Sequence, residues 1–569
     1  MKDTRRTSRP QGERELIVIA RPEARLRASP AGVHSSTGAD VSTLTSLLGT
    51  AGASLAPLFG TSEERLERDV QTVASAAQAR DEAGDVPDLA RYYRVQADDA
   101  QLDDLAQTLG RDSLVEAAYV RPAPEPAVEV LERGADTQAD ALNTMLSRVQ
   151  EVPPATPDFT GRQGYLNASP EGVDARYAWT LPGGRGAGVG IIDIEGAWRF
   201  SHEDLGTNQG GVVGGTQSTD IGWRNHGTAV LGEYSGDVNE IGVTGICPDA
   251  NARAVSVFGL GTAAALKKAA DLSGEGDIIL IELHAPGPEA TGSGQVGFVA
   301  MEWWPDIFDA IRYAVAKGVV VVEAAGNGGV NYDAAIYDRR PEGFPKSWKN
   351  PFNPDNPSSG AVLVGAGAPP PGTHGRNHGP DRSRLGFSNH GARVDVQGWG
   401  REVTTAGYGD LQGGSDEDLW YTDTFSGTSS ASPIVVGTLG CVQGVLKAQG
   451  GTLLTSPAAR ALVRSTGAPQ QDAPGRPRTE RIGNRPDLRQ AIPSVAKVWH
   501  NQKKVFGTFA SVQPDNAWAN IEGIGWRRIK ANDTAAVAPM FASFCDAVAG
   551  GRKVSAYVDN QFVHVMYLV

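Results

Sequence analysis

Cysteine is scarce in this chain: Cys247, Cys441 and Cys545 are the three in 569 residues. They lie far apart, are odd in number and show no CxxC or zinc-like spacing. That argues against a disulfide scaffold and fits three reduced thiols. Long apolar runs are missing too, since none approaches the ~20 residues needed to span a bilayer. Near the N-terminus the longest apolar stretch, residues 16–20, is too short for a secretory signal, and Arg21 and Pro22 follow at once. The Arg5-Arg6 pair has no apolar segment behind it. A cytoplasmic location is the expectation. Positive charge is in deficit: 52 Lys and Arg stand against 66 Asp and Glu, a net charge of −14. That balance argues against nucleic acid or a membrane as partner.

What is present is an ordinary globular composition, 40% apolar and 21% charged, with 70 glycines and 35 prolines for turns and loops. The length suggests three or four domains. Residues 1–122 read as strand, helix, strand, a polar helix-compatible insertion, then strand, helix, strand. This is the split βαβ pattern of a small ferredoxin-like α+β domain. Residues 123–160 form a linker that starts proline-rich (Arg121-Pro122-Ala123-Pro124-Glu125-Pro126 spans its beginning) and has some helical character. Residues 161–492 alternate short apolar strands with helical stretches, which predicts an α/β unit with a parallel sheet flanked by helices. Residues 493–569 read as a small β-rich domain with one helix, capped at Asn532 or Asp533, and a hairpin turning at Asp559-Asn560.

Four segments of the central unit carry chemistry. Asp193 lies near the end of a buried strand, where parallel sheets place reacting groups. Asn225-His226-Gly227-Thr228 opens a helical stretch. Residues 319–325 form a strand ending in Gly326-Asn327-Gly328. Finally, Phe425-Ser426-Gly427-Thr428-Ser429-Ser430-Ala431-Ser432-Pro433 leads into an apolar helix. A serine hydroxyl needs a base to take its proton, and that base needs a carboxylate to fix its tautomer. Asp193, His226 and Ser429 can fill those roles in the order Asp, His, Ser. The Asn327 amide and the Ser429 N–H can donate to a developing oxyanion.

Together these four segments resemble those of the subtilisin-like serine peptidases, the subtilase family, over residues 170–466. The resemblance implies an Asp193–His226–Ser429 triad, Asn327 as oxyanion donor and a peptide or protein substrate. It also implies that the segment Glu282-Leu283-His284 pairs with substrate and walls the first specificity pocket. There Glu282 and His284 replace residues that are usually small, and a carboxylate would favour a basic side chain. The N-terminal unit looks like the propeptide of many subtilases, implying a self-inhibited zymogen with its own N-terminal domain as intramolecular inhibitor. No cofactor is implied; structural calcium is a family habit, but no residue spacing assigns a metal. Two alternatives stand beside the endopeptidase: a peptide ligase or macrocyclase on the same triad, and a non-catalytic self-inhibited scaffold. One departure bears on the triad itself. After Asp193 comes Ile194-Glu195, a second carboxylate that either faces the histidine or points away.

Overall fold

Apolar runs between residues 189 and 367 set the architecture. In the computed structural model, which describes residues 13–29, 32–80, 86–128, 155–513, 516–530 and 534–569, they pair into one sheet. Most of the linker read as having some helical character, residues 129–154, and the proposed cap at Asn532 or Asp533 lie outside the described residues.

The N-terminal unit contains strands β1 (Glu15–Ala20), β2 (Ser54–Pro57), β3 (Tyr92–Gln96) and β4 (Val115–Arg121), with helices α1 (Ser42–Thr50), α2 (Glu63–Ala79) and α3 (Leu102–Leu109). The sheet order is β2-β3-β1-β4 and every pairing is antiparallel, as a ferredoxin-like unit requires. Alternation along β1 explains its complete burial. Leu16 and Val18 pack with Leu44, Leu48, Leu105 and Leu109 beneath α1 and α3. Ile17 and Ile19, on the opposite face, join a core that continues into the central unit. The N-terminal sheet is thus pressed onto its neighbour by its second apolar face.

Just beyond β4 the chain forms a two-residue strand, β5 (Glu125–Pro126). The central sheet then takes β6 (Gly190–Glu195), β7 (Gln209–Gly214), β8 (Asn251–Ser256), β9 (Ile278–Ile281), and, after the outlying β10 (Leu283–Pro286) and β11 (Phe298–Ala300), β12 (Val320–Ala324), β13 (Val362–Gly367) and β14 (Val396–Trp399). Its order is β14-β13-β12-β9-β6-β8-β7, parallel throughout. Helices α4 (Ile221–Ser235) and α7 (Ser432–Ala448) cover one face; α5 (Thr262–Leu272) and α6 (Pro305–Ala316) cover the other. Helix α8 (Ser456–Ser465) adds to the first face.

Period-two alternation decides which residues meet which helices. Along β6, Ile191 packs toward α4 and α7 while Ile192 and Ile194 pack toward α5 and α6. Asp193 and Glu195 therefore share the α4–α7 face. On β9 the same count puts Ile278 and Leu280 on that face, and Glu282 with them. On β12, Val320 and Val322 take the α4–α7 face, so Glu323 falls on the other.

The C-terminal unit comprises β15 (Val498–Ala510), β16 (Ala517–Ile521), β17 (Gly525–Ile529), α9 (Val537–Gly550), β18 (Lys553–Val558) and β19 (Phe562–Leu568). Its strands close into a barrel in the order β15-β16-β17-β19-β18. Only β17 and β19 run parallel. The barrel shields Val505, Ile521, Val554 and Val563 around Phe544 of α9. Among the described residues no helix is long and apolar enough to cross a membrane.

Candidate active site

The histidine comes from α4, whose first turn is tied by Asp220 accepting from the Trp223 N–H at 3.2 Å. His226 sits in the second turn and is fully buried. Its Nδ1 lies 2.6 Å from Glu195 Oε2. The expectation that Asp193 orients the histidine is therefore corrected: Glu195 touches the ring. Asp193 instead accepts from the Trp198 indole N–H, at 2.6 Å on Oδ2. The reason is local. Glu195 is the last residue of β6, facing the α4 residues that rise past the strand end, whereas Asp193 lies one pleat deeper. Both carboxyls are wholly buried. Asp193 Oδ1 and Glu195 Oε1 have no hydrogen-bond partner among the described residues. Burial, then the neighbouring Glu195 charge, pushes Asp193 well up, and burial does the same to Glu195.

Burial lowers His226 to about 4, against a smaller upward pull from Asp193. Its imidazole is neutral at physiological pH and able to accept a proton. The Phe425 ring packs edge-on against it, with centroids 5.6 Å apart. Phe425 ends the strand Tyr421–Phe425, and the turn that follows carries Ser429. Ser429 thus lies in a turn three residues before α7 begins. Neither Ser429 Oγ nor His226 Nε2 has a hydrogen-bond partner among the described residues.

Asn327 follows β12 and is fixed by its own amide: Oδ1 accepts from the Thr428 N–H and hydroxyl, both at 2.9 Å. That orientation turns Nδ2 the other way, toward Gln295 Oε1 at 3.3 Å. The Asn327 N–H donates to His284 Nδ1 at 3.2 Å. His284 is buried, and burial pushes it down to about 3. The ring is a neutral acceptor in the wall behind Asn327.

The cleft holds part of this same chain. Strand β5 pairs antiparallel with β10, Leu283 opposite Pro126 and His284 opposite Glu125, and β11 completes the three-stranded sheet. Gln295 Nε2 donates to the Pro126 carbonyl at 2.8 Å. One residue on, the Ser429 N–H donates to the Ala127 carbonyl at 3.3 Å. Gly427, at φ +110°, makes this approach feasible: a Cβ there would lie 2.2 Å from the Ala127 oxygen and 3.1 Å from Asn327 Nδ2. Of the two amides expected to stabilise an oxyanion, the Ser429 N–H reaches the Ala127 carbonyl, while Asn327 Nδ2 is turned to Gln295 Oε1.

Leu283 and His284 thus lie along the segment occupying the cleft, but Glu282 does not. Its carboxyl is fully buried on the α4–α7 face, where Oε1 accepts from the Ser432 hydroxyl and Oε2 has no hydrogen-bond partner among the described residues. Glu282 is thus not placed in the cleft wall to support the predicted preference for Arg or Lys. Odd parity with Leu283, whose side chain packs on the opposite face, is the cause.

The described residues contain no group of three His, Cys, Asp or Glu able to hold a metal ion. Two histidines outside the site make structural contacts: His202 Nε2 meets the Trp420 carbonyl at 2.8 Å, and His378 Nε2 meets Glu402 at 2.8 Å.

The model of the subtilase family matches residues 128–488. The chain belongs to the subtilase family. Among curated subtilases it is 27% identical to the "Intracellular serine protease" of Paenibacillus polymyxa over 308 residues, 51% of this chain and 78% of that protein. It is 27% identical to "Thermitase" of Thermoactinomyces vulgaris over 309 residues, 52% of this chain and 86% of that protein. Among solved structures, the epidermin leader peptide processing serine protease from Staphylococcus aureus aligns with a TM-score of 0.46 and 16% identity, covering 84% of this chain and 98% of that one. This subtilase is a serine endopeptidase by family, and the family match begins at Val128, the residue after Ala127.

Proposed function

We infer that the chain is made as a self-inhibited zymogen, that Glu195, His226 and Ser429 form its triad, and that it cuts its own Ala127–Val128 bond. The observation that carries this is the Ser429 N–H donating to the Ala127 carbonyl while residues 125 and 126 lie as a strand on β10. In this reading His226 Nε2 takes the Ser429 proton as Oγ attacks the Ala127 carbonyl carbon. Glu195 holds the Nδ1–H tautomer and stabilises the imidazolium. The new oxyanion is met by the Ser429 N–H and Asn327 Nδ2. His226 returns the proton to the Val128 nitrogen as the C–N bond breaks. Water, deprotonated by the same imidazole, then releases Ala127 from Ser429. An amine replacing that water would make the site a ligase or macrocyclase, and the same acyl-enzyme serves both.

Tethering makes the first cut effectively unimolecular, which offsets a small, weakly recognised residue such as Ala127. The N-terminal unit stays docked by specific contacts as well as apolar ones. The Tyr119 hydroxyl donates to Asp306 at 2.9 Å, Arg121 pairs with the same carboxylate at 3.2 Å, and Lys267 pairs with Asp69 at 2.9 Å. A cut chain would therefore remain inhibited until that unit dissociates or is degraded.

The test is a denaturing gel with N-terminal sequencing. Wild type should yield a fragment beginning at Val128, and Ser429→Ala should remain a single 59.8 kDa chain. Loss of the nucleophile costs a serine peptidase ~10⁶ in kcat, enough to stall even a tethered reaction. An intact wild-type chain that still hydrolyses peptides would make the N-terminal unit a permanent regulatory module. Absence of fluorophosphonate labelling of wild type after residues 1–127 are proteolytically removed would favour the scaffold.

A further inference from the structure

Three amides in the cleft are joined end to end, and their partners fix which way each faces. The Thr428 N–H can only donate, so the Asn327 atom it meets at 2.9 Å is Oδ1. The Pro126 carbonyl can only accept, so the Gln295 atom 2.8 Å from it is Nε2. That leaves Gln295 Oε1 to accept from Asn327 Nδ2 at 3.3 Å. Hydrogen bonds therefore run in one direction, from Thr428 through Asn327 and Gln295 to the carbonyl one residue before Ala127. Pro126 has no N–H, so that carbonyl is the only hydrogen-bonding backbone group it offers. The turn that carries Gln295, between β10 and β11, is braced on both sides. The Phe298 N–H donates to the Gln295 carbonyl at 3.1 Å, and the Gly297 N–H to the Gly328 carbonyl, next to Asn327, at 3.0 Å. Gly297 sits at φ +79°, and a Cβ there would lie 2.2 Å from the Glu289 backbone, so this crossing needs glycine. The Tyr337 hydroxyl donates to Glu289 at 2.9 Å and anchors the far side of the turn.

We propose that Gln295 is a substrate-positioning residue. It grips the backbone carbonyl of the residue before the scissile one and, through the same side chain, orients the oxyanion amide of Asn327. This rests on Ser429 being the nucleophile and on residues 125–127 lying as a substrate does, as argued above. Asn327 Nδ2 carries two N–H bonds. With Oδ1 held by Thr428 and one N–H given to Gln295, the planar amide is fixed at both ends. Its second N–H is left for the oxyanion that forms on Ala127, whose carbonyl oxygen lies across Gly427 from Nδ2. The donor is thus oriented before charge develops, which is where an oxyanion site gains its effect. A substrate that seats its carbonyl on Gln295 Nε2 polarises the whole chain of amides, so binding and oxyanion stabilisation pass through one side chain. Recognition of a carbonyl also ignores side-chain identity, which suits a cut beside a residue as small as Ala127.

Gln295→Met keeps length and bulk but removes both polar ends of the side chain. On the substrate, a thioamide at the residue before the scissile one weakens the matching acceptor. The experiment measures kcat and KM of wild type and Gln295→Met on a peptide and on its thioamide twin, with thermal midpoints as a check on folding. For wild type the thioamide should cost about 3- to 10-fold in kcat/KM, the worth of one hydrogen bond. Gln295→Met should lose about tenfold in kcat, short of the ~10²–10³ for removing an oxyanion donor outright, and should also raise KM. It should be indifferent to the thioamide, because both changes remove the same contact. Equal thioamide losses in the two enzymes overturn the contact with substrate, and an unchanged kcat overturns the link to Asn327. A lowered thermal midpoint with unchanged kinetics makes Gln295 a structural residue and overturns both. Wild type that hydrolyses peptides without cutting its own Ala127–Val128 bond ends the zymogen reading alone, and the thioamide comparison still decides Gln295. Wild type unlabelled by fluorophosphonate ends the nucleophile assignment, and the role of Gln295 with it.

Discussion

The two faces of the central sheet each bury a cluster of carboxyls, and they keep them by opposite means. In one cluster Arg393 bridges Glu302 and Asp395, at 3.0 and 2.6 Å, and Arg460 of α8 adds a contact to Asp395 at 2.8 Å. Glu323 lies beside them, accepting from the Glu302 N–H at 2.9 Å. On the α4–α7 face, Asp193, Glu195, Glu233 and Glu282 are wholly buried, and among the described residues no Lys or Arg pairs with them. In the first cluster the guanidiniums overcome burial and hold Asp395 below the usual carboxylate range. In the second, burial prevails and Asp193, Glu195, Glu233 and Glu282 all rise. Guanidiniums let Asp395 store charge; where no cation bridges the acid, as for these four and for Glu323, burial stores a proton instead. A stored proton can move during a reaction, whereas a stored ion pair can only hold elements together. The triad proposed above lies in the cluster without cations.

The largest expected effect separates the two carboxyls of β6. Glu195→Gln should lower kcat by ~10⁴, as when a triad acid is replaced by its amide and the imidazole loses its tautomer. Asp193→Asn leaves the Glu195–His226 contact in place and should cost only about tenfold, the scale of a one-unit change in basicity. The check is kcat of both variants under saturating peptide. A reversed order would restore Asp193 to the role that the sequence suggested.

Next comes the paired face. Arg393→Met would leave Glu302 and Asp395 buried without their shared cation, and should destabilise the fold by about 3–5 kcal/mol. Thermal or denaturant unfolding of the Ser429→Ala form, which cannot digest itself, measures this. The fluorophosphonate labelling rate of Arg393→Met, per folded molecule and with Ser429 intact, should match that of the parent. A lost labelling rate without lost stability would mean that the two faces are coupled.

Some of this comparison is legible in the sequence. The apolar strands, the serine and histidine motifs and the glycine-flanked Asn327 all follow from local pattern, because each is a short segment whose chemistry depends on its own neighbours. The choice between Asp193 and Glu195 does not. Two residues apart on one strand, they share a face, and only the position of α4 past the strand end decides which reaches His226. Their place in the strand was the available signal: the terminal residue is Glu195. Glu282 was misplaced for a related reason. Counting the alternation from Ile278 would have put it with Asp193 rather than in the cleft, but a strand that is apolar on both faces shows no alternation to count. The ferredoxin-like order of the N-terminal unit was readable from its elements. The barrel closure was not, since the parallel pairing of β17 with β19 joins strands separated by a helix and another strand.

The smallest expected effect is a difference of slope with pH. For Asp395 the folded-state pKa lies below the unfolded value, so its contribution to stability is present above the unfolded pKa and is lost as pH falls through the folded one. For Glu282 and its three neighbours the folded-state values are raised. Their contribution is full below the ordinary carboxylate range and is lost as pH rises through the folded-state values. Asp395 thus weakens the fold in acid, and the four unpaired carboxyls weaken it in alkali. Each group that binds an extra proton in the folded state changes the slope by about 1.4 kcal/mol per pH unit over its window. Glu282→Gln in the Ser429→Ala chain removes one such group from the alkaline side only. Its thermal midpoint should therefore fall less steeply with rising pH than that of the parent, while the acid limbs superimpose. Arg460→Met should do the reverse, because weakening the cation around Asp395 raises its folded-state pKa and shrinks the acid loss. If both substitutions flatten the same limb, the faces do not titrate separately, and the contrast between stored protons and stored ion pairs fails.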